Sequence, residues 1–192
     1  MAYLTIEQLC SLGLKSFGEN VLISEKASIY GASRISVGNN VRIDDFCVLS
    51  AGDGGIEIGS FVHIAVYSSL IGREGIVLDN YCNISSRVSI YSSSDDFSGA
   101  TLTNPTIPDE FKALRHDKVH LHEHVIVGSG AIIMPGVTVR KGGAIGALSF
   151  VICSVPEFSI VAGIPAQHIK YRKQDLLEVE RNFLFALQDR SL

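Results

Sequence analysis

With 192 residues, 46 % of them hydrophobic and 19 % charged, the chain is long and apolar enough to fold around one core and is not a disordered tail. A net charge of −4 argues against nucleic acid as the main partner, and no run of roughly 18 apolar residues is present to span a membrane. The first residues, MAYLTIEQLC, lack the basic and apolar regions of a signal peptide, and four cysteines without a CxxC pair fit a reducing cytoplasm.

In chain order, residues 3–16 read as a short helix. Thr5 caps it, Ile6, Leu9, Cys10 and Leu12 form its apolar stripe, and Gly13 ends it. As a cap over residues 1–18, it closes the open end of the repeating coils built by the next residues, where strand edges would otherwise be bare.

Aliphatic residues then recur every six positions: Ile23, Ile29, Ile35, then, after a shift of two, Val37, Ile43, Leu49. The series continues through Ile58, Ile64, Leu70 and Leu78, Ile84, Ile90. A period of six is neither helical nor that of one flat strand, and it points to a solenoid of the parallel β-helix kind. Each hexad forms one side of a three-sided coil, with the aliphatic residue inside and a small residue near the corner. Cys47 and Cys82 occupy such small-residue slots. Successive coils begin 21 and 20 residues apart rather than 18, so the extra residues bulge at one corner, where Gly52, Gly54, Gly55, Gly72 and Gly75 suit the turns.

After Ile90 the period stops. The interruption, residues 92–118, carries two prolines and many Ser and Thr; a loop of that length inside a compact domain points to function. The rhythm restarts near Val119 and runs through Leu121, Val127, Ile133, Val139, Ile145 and Val151. The β-helix is thus expected over 19–170. Residues 171–192 read as a terminal helix with Leu176, Leu177, Val179, Phe183, Leu184 and Leu187 as its stripe, packing back on the coils or on a neighbouring subunit. His120, His122 and His124 alternate at a spacing a metal could use, but no fourth ligand is evident and no metal is expected.

The six-residue rhythm, the loop after Ile90 and the segment VIVGSGAIIMPGVTVRKGGAIGALSFVICSVPEFSIVAGIPAQHIK together resemble the hexapeptide-repeat acyltransferases. The nearest likeness is to galactoside and maltose O-acetyltransferases and to sugar acetyltransferases of surface-polysaccharide clusters. It covers about residues 20–172 and is most specific over Val127–Val139 and the AGIPA of Ala162–Ala166. The resemblance implies an all-β, left-handed parallel β-helix, acetyl-CoA as co-substrate, and a homotrimer with its sites between subunits. It also implies transfer of acetyl to a hydroxyl or amino group of a sugar or sugar-nucleotide in the cytoplasm. The alternatives are a metal-dependent hydratase like the γ-class carbonic anhydrases, which share the fold, and a non-catalytic scaffold.

Acetyl transfer needs a general base, an oxyanion donor and a groove for the pantetheine arm. Where the family usually carries its catalytic His, this chain has Asp95, followed by Asp96 in place of a common Pro. The base is then Asp95 or Asp96 with its pKa raised by burial, His63 from the coil before, or His116 from the loop. The plainer readings are an outward polar residue for His63 and turn chemistry for the two aspartates. For the cofactor, the resemblance points to Ser129 and Ala147 as small residues beside the pantetheine arm. Ile152-Cys153 replaces the family's frequent Thr-Lys, so Lys170 and Arg172, with Lys173, are the candidate phosphate cations.

Overall fold

The computed structural model describes residues 2–190, with side chains through Gln188; the last two residues of the expected 171–192 segment lie outside the described residues. Among the described residues the chain winds about seven turns of a three-sided parallel β-helix. The first face stacks Ser16–Phe17, Ile35–Val37, Ile56–Ile58, Ile76–Leu78, Val119–Leu121 and Thr138–Val139. The second stacks strands from Leu22–Ile23 to Ala144–Ile145 and closes with Ser159–Gly163 and Ala166–Tyr171. The third runs from Ser28–Tyr30 to Phe150–Val151.

The hexad aliphatics fill the prism: Ile23, Ile43, Leu49, Ile64, Leu70, Ile84 and Ile90 are buried, as are Leu121, Val127, Ile133 and Val139. Each fully buried aliphatic side chain contributes roughly 1.5–3 kcal/mol before entropy is subtracted. The apparent shift of two at Ile35 and Val37 has a simple cause. The four middle first-face strands are three residues long and turn two side chains inward, Ile35 with Val37, Ile56 with Ile58, Ile76 with Leu78 and Val119 with Leu121. The extra residues of each coil gather at the corner between the third and first faces, and the long loop leaves from that same corner.

The two other corners turn by left-handed residues. Asn20, Asn40, Phe61, Tyr81, His124 and Phe158, with Gly142, carry φ between 50° and 67° and line the corner between the first and second faces. Most of these are not glycines, so backbone strain is held by stacking. Phe61 lies on Tyr81 at 5.2 Å and Tyr81 on His124 at 4.9 Å.

The N-terminal helix is shorter than the sequence suggests. The helix α1 spans Ile6–Ser11, with Thr5 and Gln8 forming a reciprocal cap. Tyr3 instead bridges to Ser24, Gly13 breaks the helix at φ 74°, and Ser16–Phe17 already pairs in the first face. Leu9 is buried while Leu4, Leu12 and Leu14 pack against the core, so the segment does cover the solenoid end. At the other end, residues 159–171 form an antiparallel hairpin that the six-residue rhythm does not reveal.

The second helix, α2, spans Leu176–Arg190 and lies on the first–second corner of its own chain. Phe183 meets Phe61 edge-on at 5.3 Å, and Glu180 Oε2 meets His124 Nε2 at 2.9 Å. No helix among the described residues is long and apolar enough to cross a membrane.

Candidate functional site

The long loop has a neck. Ser93–Ser94 pairs antiparallel with Arg115–His116, Asp117 N–H donates to Ser92 O at 3.0 Å, and His116 Nδ1 lies 2.9 Å from Ser93 Oγ. His116 is thereby part of the neck's bonding. The two aspartates start just beyond, and the structure gives them different hydrogen-bond partners.

Asp96 accepts from the Ser98 amide at 2.8 Å, the Ser98 hydroxyl at 2.9 Å and the Thr101 hydroxyl at 3.2 Å. These bonds, the Ser98 amide first, hold its carboxyl below the usual range. The expectation of a raised pKa is therefore reversed for Asp96: it caps its own turn, because three donors two to five residues ahead reach it first. Asp95 accepts from the Asn104 amide at 3.3 Å and has no ion-pair partner among the described residues. It stays half-buried at the base of the loop.

His63 lies on the second face, in register with Arg42 below and Asn83 above. Its Nε2 is 2.9 Å from Asp44 Oδ2, and Arg42 Nε donates to Asp44 Oδ1 at 2.6 Å. Asp44 is buried, so the imidazole is oriented by a carboxylate that no local sequence pattern marks.

Ser129 and Ala147 are brought together. They stand exposed in adjacent coils at the corner between the second and third faces, where Leu148 N–H donates to Ser129 O at 2.9 Å. The coils approach so closely that a Cβ on Gly128 would lie 2.5 Å from Ala147 N. Ser85 stands opposite Gly128 one coil down, at the same corner and next to the Ser129 column, and donates its amide to Val127 O at 3.0 Å. The small residues leave a shallow, backbone-lined flank along this corner.

The two candidate cations are not brought together with that flank. Lys170 is exposed on Ala166–Tyr171, in register with Ile160. Arg172 lies at the opposite end of the second face, and its Nη1 donates to His124 O at 2.8 Å and Gly142 O at 3.1 Å. Burial pushes the Arg172 guanidinium pKa down, and two carbonyls occupy it.

The three histidines divide. His124 is taken by Tyr81 and Glu180, whereas His120 Nε2 and His122 Nδ1 approach Asp79 Oδ2 at 3.0 and 3.4 Å. Asp79 lies 41 residues before His120, and nothing local in the sequence ties the two.

A covalent acyl-enzyme through the buried thiols is disfavoured. Burial pushes Cys47 up to about 11 and Cys82 up to about 12, away from the thiolate form. The arrangement suits direct attack of an acceptor on a thioester lying along the coil flank.

No family model matches the chain. It is 52 % identical over 183 residues to dTDP-4-amino-4,6-dideoxy-D-glucose acyltransferase of Escherichia coli, covering 95 % of each chain. A crystal structure of AntD, an N-acyltransferase from Bacillus cereus in complex with dTDP and coenzyme A, superposes with a TM-score of 0.94 at 46 % identity, covering 97 % of this chain and 100 % of that one. Solved variants of AntD substitute an aspartate and, ten positions earlier, a serine. The same spacing separates Ser85 from Asp95 here. A galactoside acetyltransferase with coenzyme A shares the fold, with a TM-score of 0.58 at 19 % identity over 88 % of this chain and 72 % of that one. The chain belongs to the hexapeptide-repeat acyltransferases of the left-handed β-helix fold.

Proposed function

We propose that this protein is an N-acyltransferase that moves an acetyl group from acetyl-CoA to the 4-amino group of dTDP-4-amino-4,6-dideoxyglucose, supplying a sugar for surface-polysaccharide assembly in the cytoplasm. The observation that carries this reading is the 52 % identity, over 95 % of both chains, to an acyltransferase named for that sugar nucleotide. The amine nitrogen attacks the thioester carbonyl, the new C–N bond forms, the C–S bond breaks, and the amine proton goes to a base and then to the departing thiolate. Asp95 is the base. It sits where the family places its catalytic group, keeps a carboxylate oxygen free of loop bonding, and stands ten residues after Ser85. The pantetheine arm lies along Ser129 and Ala147, with Lys170 near the phosphates. The enzyme works as a homotrimer, with the loop of one copy closing the cleft of the next.

His63 is the second reading for the base, favoured by its 2.9 Å contact with the buried Asp44. The test is thiol release from acetyl-CoA with the 4-amino sugar nucleotide, read with a disulfide dye, and mass analysis of the product. An amide product stable to hydroxylamine is expected. Release only with hydroxyl acceptors, giving a hydroxylamine-labile ester, overturns N-acylation in favour of O-acetylation. Parallel arms with 3-hydroxybutyryl-CoA, which occupies AntD in one structure, decide the acyl group.

A further inference from the structure

We propose that Asp79, His120 and His122 form a binding site for one divalent first-row transition ion, zinc foremost, which clips the coil before the long loop to the coil after it. The site is separate from acyl transfer and asks nothing of the loop aspartates.

The spacing is that of metal ligands. Two donors on a tetrahedral ion with bonds of about 2.0–2.1 Å lie about 3.3 Å apart. Asp79 Oδ2 stands 3.0 Å from His120 Nε2 and 3.4 Å from His122 Nδ1. All three ligand atoms fall within 4.8 Å of one another. The geometry follows from the fold. His120 and His122 are two apart, so both imidazoles leave the same side of the chain, and their rings stack at 3.9 Å with 23° between planes. Asp79 comes from the coil beneath, where its amide donates to Leu121 O at 2.8 Å and fixes the register.

The donor chemistry agrees. Two neutral imidazoles and one carboxylate offer a single negative charge to a dication, and imidazole suits zinc, nickel, copper and iron. Glu123 and Arg140, of opposite sign, are the other charged groups acting on His122. Neighbouring donors are otherwise engaged: His124 Nε2 is held by Glu180, and Cys82 Sγ approaches the carbonyls of Leu121 and His122. Three protein ligands leave a position for water. Asp79 also lines a groove of about 610 Å³ on the first face, which gives an ion a way in.

The clip has a mechanical reason. Residues that meet across neighbouring coils before the loop, such as Asp44 and His63, are 19 apart in sequence, whereas Asp79 and His120 are 41 apart because the loop after Tyr91 intervenes. An ion that binds only the folded chain stabilises it by mass action, and a cross-link closing a long segment restricts the unfolded chain most.

The experiment uses full-length protein without an affinity tag, stripped with a chelator and titrated with Zn2+ by calorimetry. One ion per chain and a melting temperature several degrees higher are expected. Co2+ in place of Zn2+ is expected to give the visible absorption of a tetrahedral site in the wild-type protein, a readout independent of any variant's folding. His120→Gln with His122→Gln is expected to abolish both the uptake and the thermal shift. No uptake by the wild type, or unchanged uptake in the double variant, overturns the proposal and leaves the three residues as a hydrogen-bonded cluster.

Discussion

His63 Nε2 and Asp44 Oδ2 face each other at 2.9 Å across neighbouring coils, and Arg42 holds the other carboxylate oxygen at 2.6 Å. Asp44 is buried while both of its partners are partly open to solvent. The carboxylate therefore anchors two outer-face side chains. Asp44→Ala is expected to lower stability by about 1.5–3 kcal/mol, the range for hydrogen bonds to a charged group. His63→Gln is expected to keep turnover within about threefold, far short of the hundredfold or more that loss of a general base brings. Denaturant melts and steady-state kinetics on the two variants check both statements; a collapse of kcat in His63→Gln transfers the base role from Asp95 to His63.

Asp95 and Asp96 are adjacent yet bonded differently, which separates their variants. Asp95→Asn is expected to lower kcat by about 100-fold or more with an unchanged melting temperature. Asp96→Ala is expected to raise the acceptor KM, because the turn that Ser98 and Thr101 build around its carboxylate is lost. Since the folded loop holds the Asp96 pKa down, its ordering is complete above the ordinary carboxylate range and is lost as pH falls through the lowered value. The wild-type KM is thus expected to climb in acid, and that climb is expected to be missing in Asp96→Ala. An equal climb in both proteins puts the acid-sensitive group elsewhere.

The prism is legible in the sequence because its cause is local. An inward Ile, Leu or Val every six residues states which side of each short strand is buried, and Ile43, Ile64 and Ile84 need no distant information to be placed. The loop is legible as the place where that rhythm stops. Pairings between coils are not. Asp44 reaches His63 over 19 residues and Asp79 reaches His120 over 41, and their meeting depends on the exact number of corner residues in each coil. The sequence overstates the reach of α1 for a related reason. Leu12 continues the helical stripe, but the packing of Leu12 and Leu14 against the coil end rewards a strand at Ser16–Phe17 more than another helical turn.

The four thiols divide by burial. Cys47 and Cys82 are buried in corner slots with pKa values pushed up to about 11 and about 12, whereas Cys10 and Cys153 are exposed. Native protein at neutral pH is expected to expose two fast thiols to a disulfide dye, and all four in denaturant. Mass mapping of the labelled peptides identifies them. Rapid labelling of Cys82 in native protein is incompatible with its place beneath the Leu121 and His122 carbonyls.

Arg172 and Lys170 are both candidate phosphate cations by sequence, and the structure gives them different surroundings. The Arg172 guanidinium ties Ala166–Tyr171 and the start of α2 to the first–second corner through the His124 and Gly142 carbonyls. Gly142 has a left-handed φ of 67°, and a Cβ there would collide with the Phe158 ring, so the corner has little room to rearrange. Truncating Arg172 leaves two carbonyl groups without their charged donor, and Arg172→Ala is expected to cost about 1.5–3 kcal/mol. Its KM for acetyl-CoA is expected to stay near the wild-type value. Lys170, exposed and unburdened by the corner, is expected to show the reverse: Lys170→Ala raises the KM for acetyl-CoA and leaves the melting temperature unmoved. Arg172→Lys separates charge from geometry, since it keeps the cation but cannot span both carbonyls. If the Lys variant restores the acetyl-CoA KM without restoring the melting temperature, Arg172 serves the phosphates after all. If it restores neither stability nor a KM that had never changed, the guanidinium is the clamp that its two bonds describe.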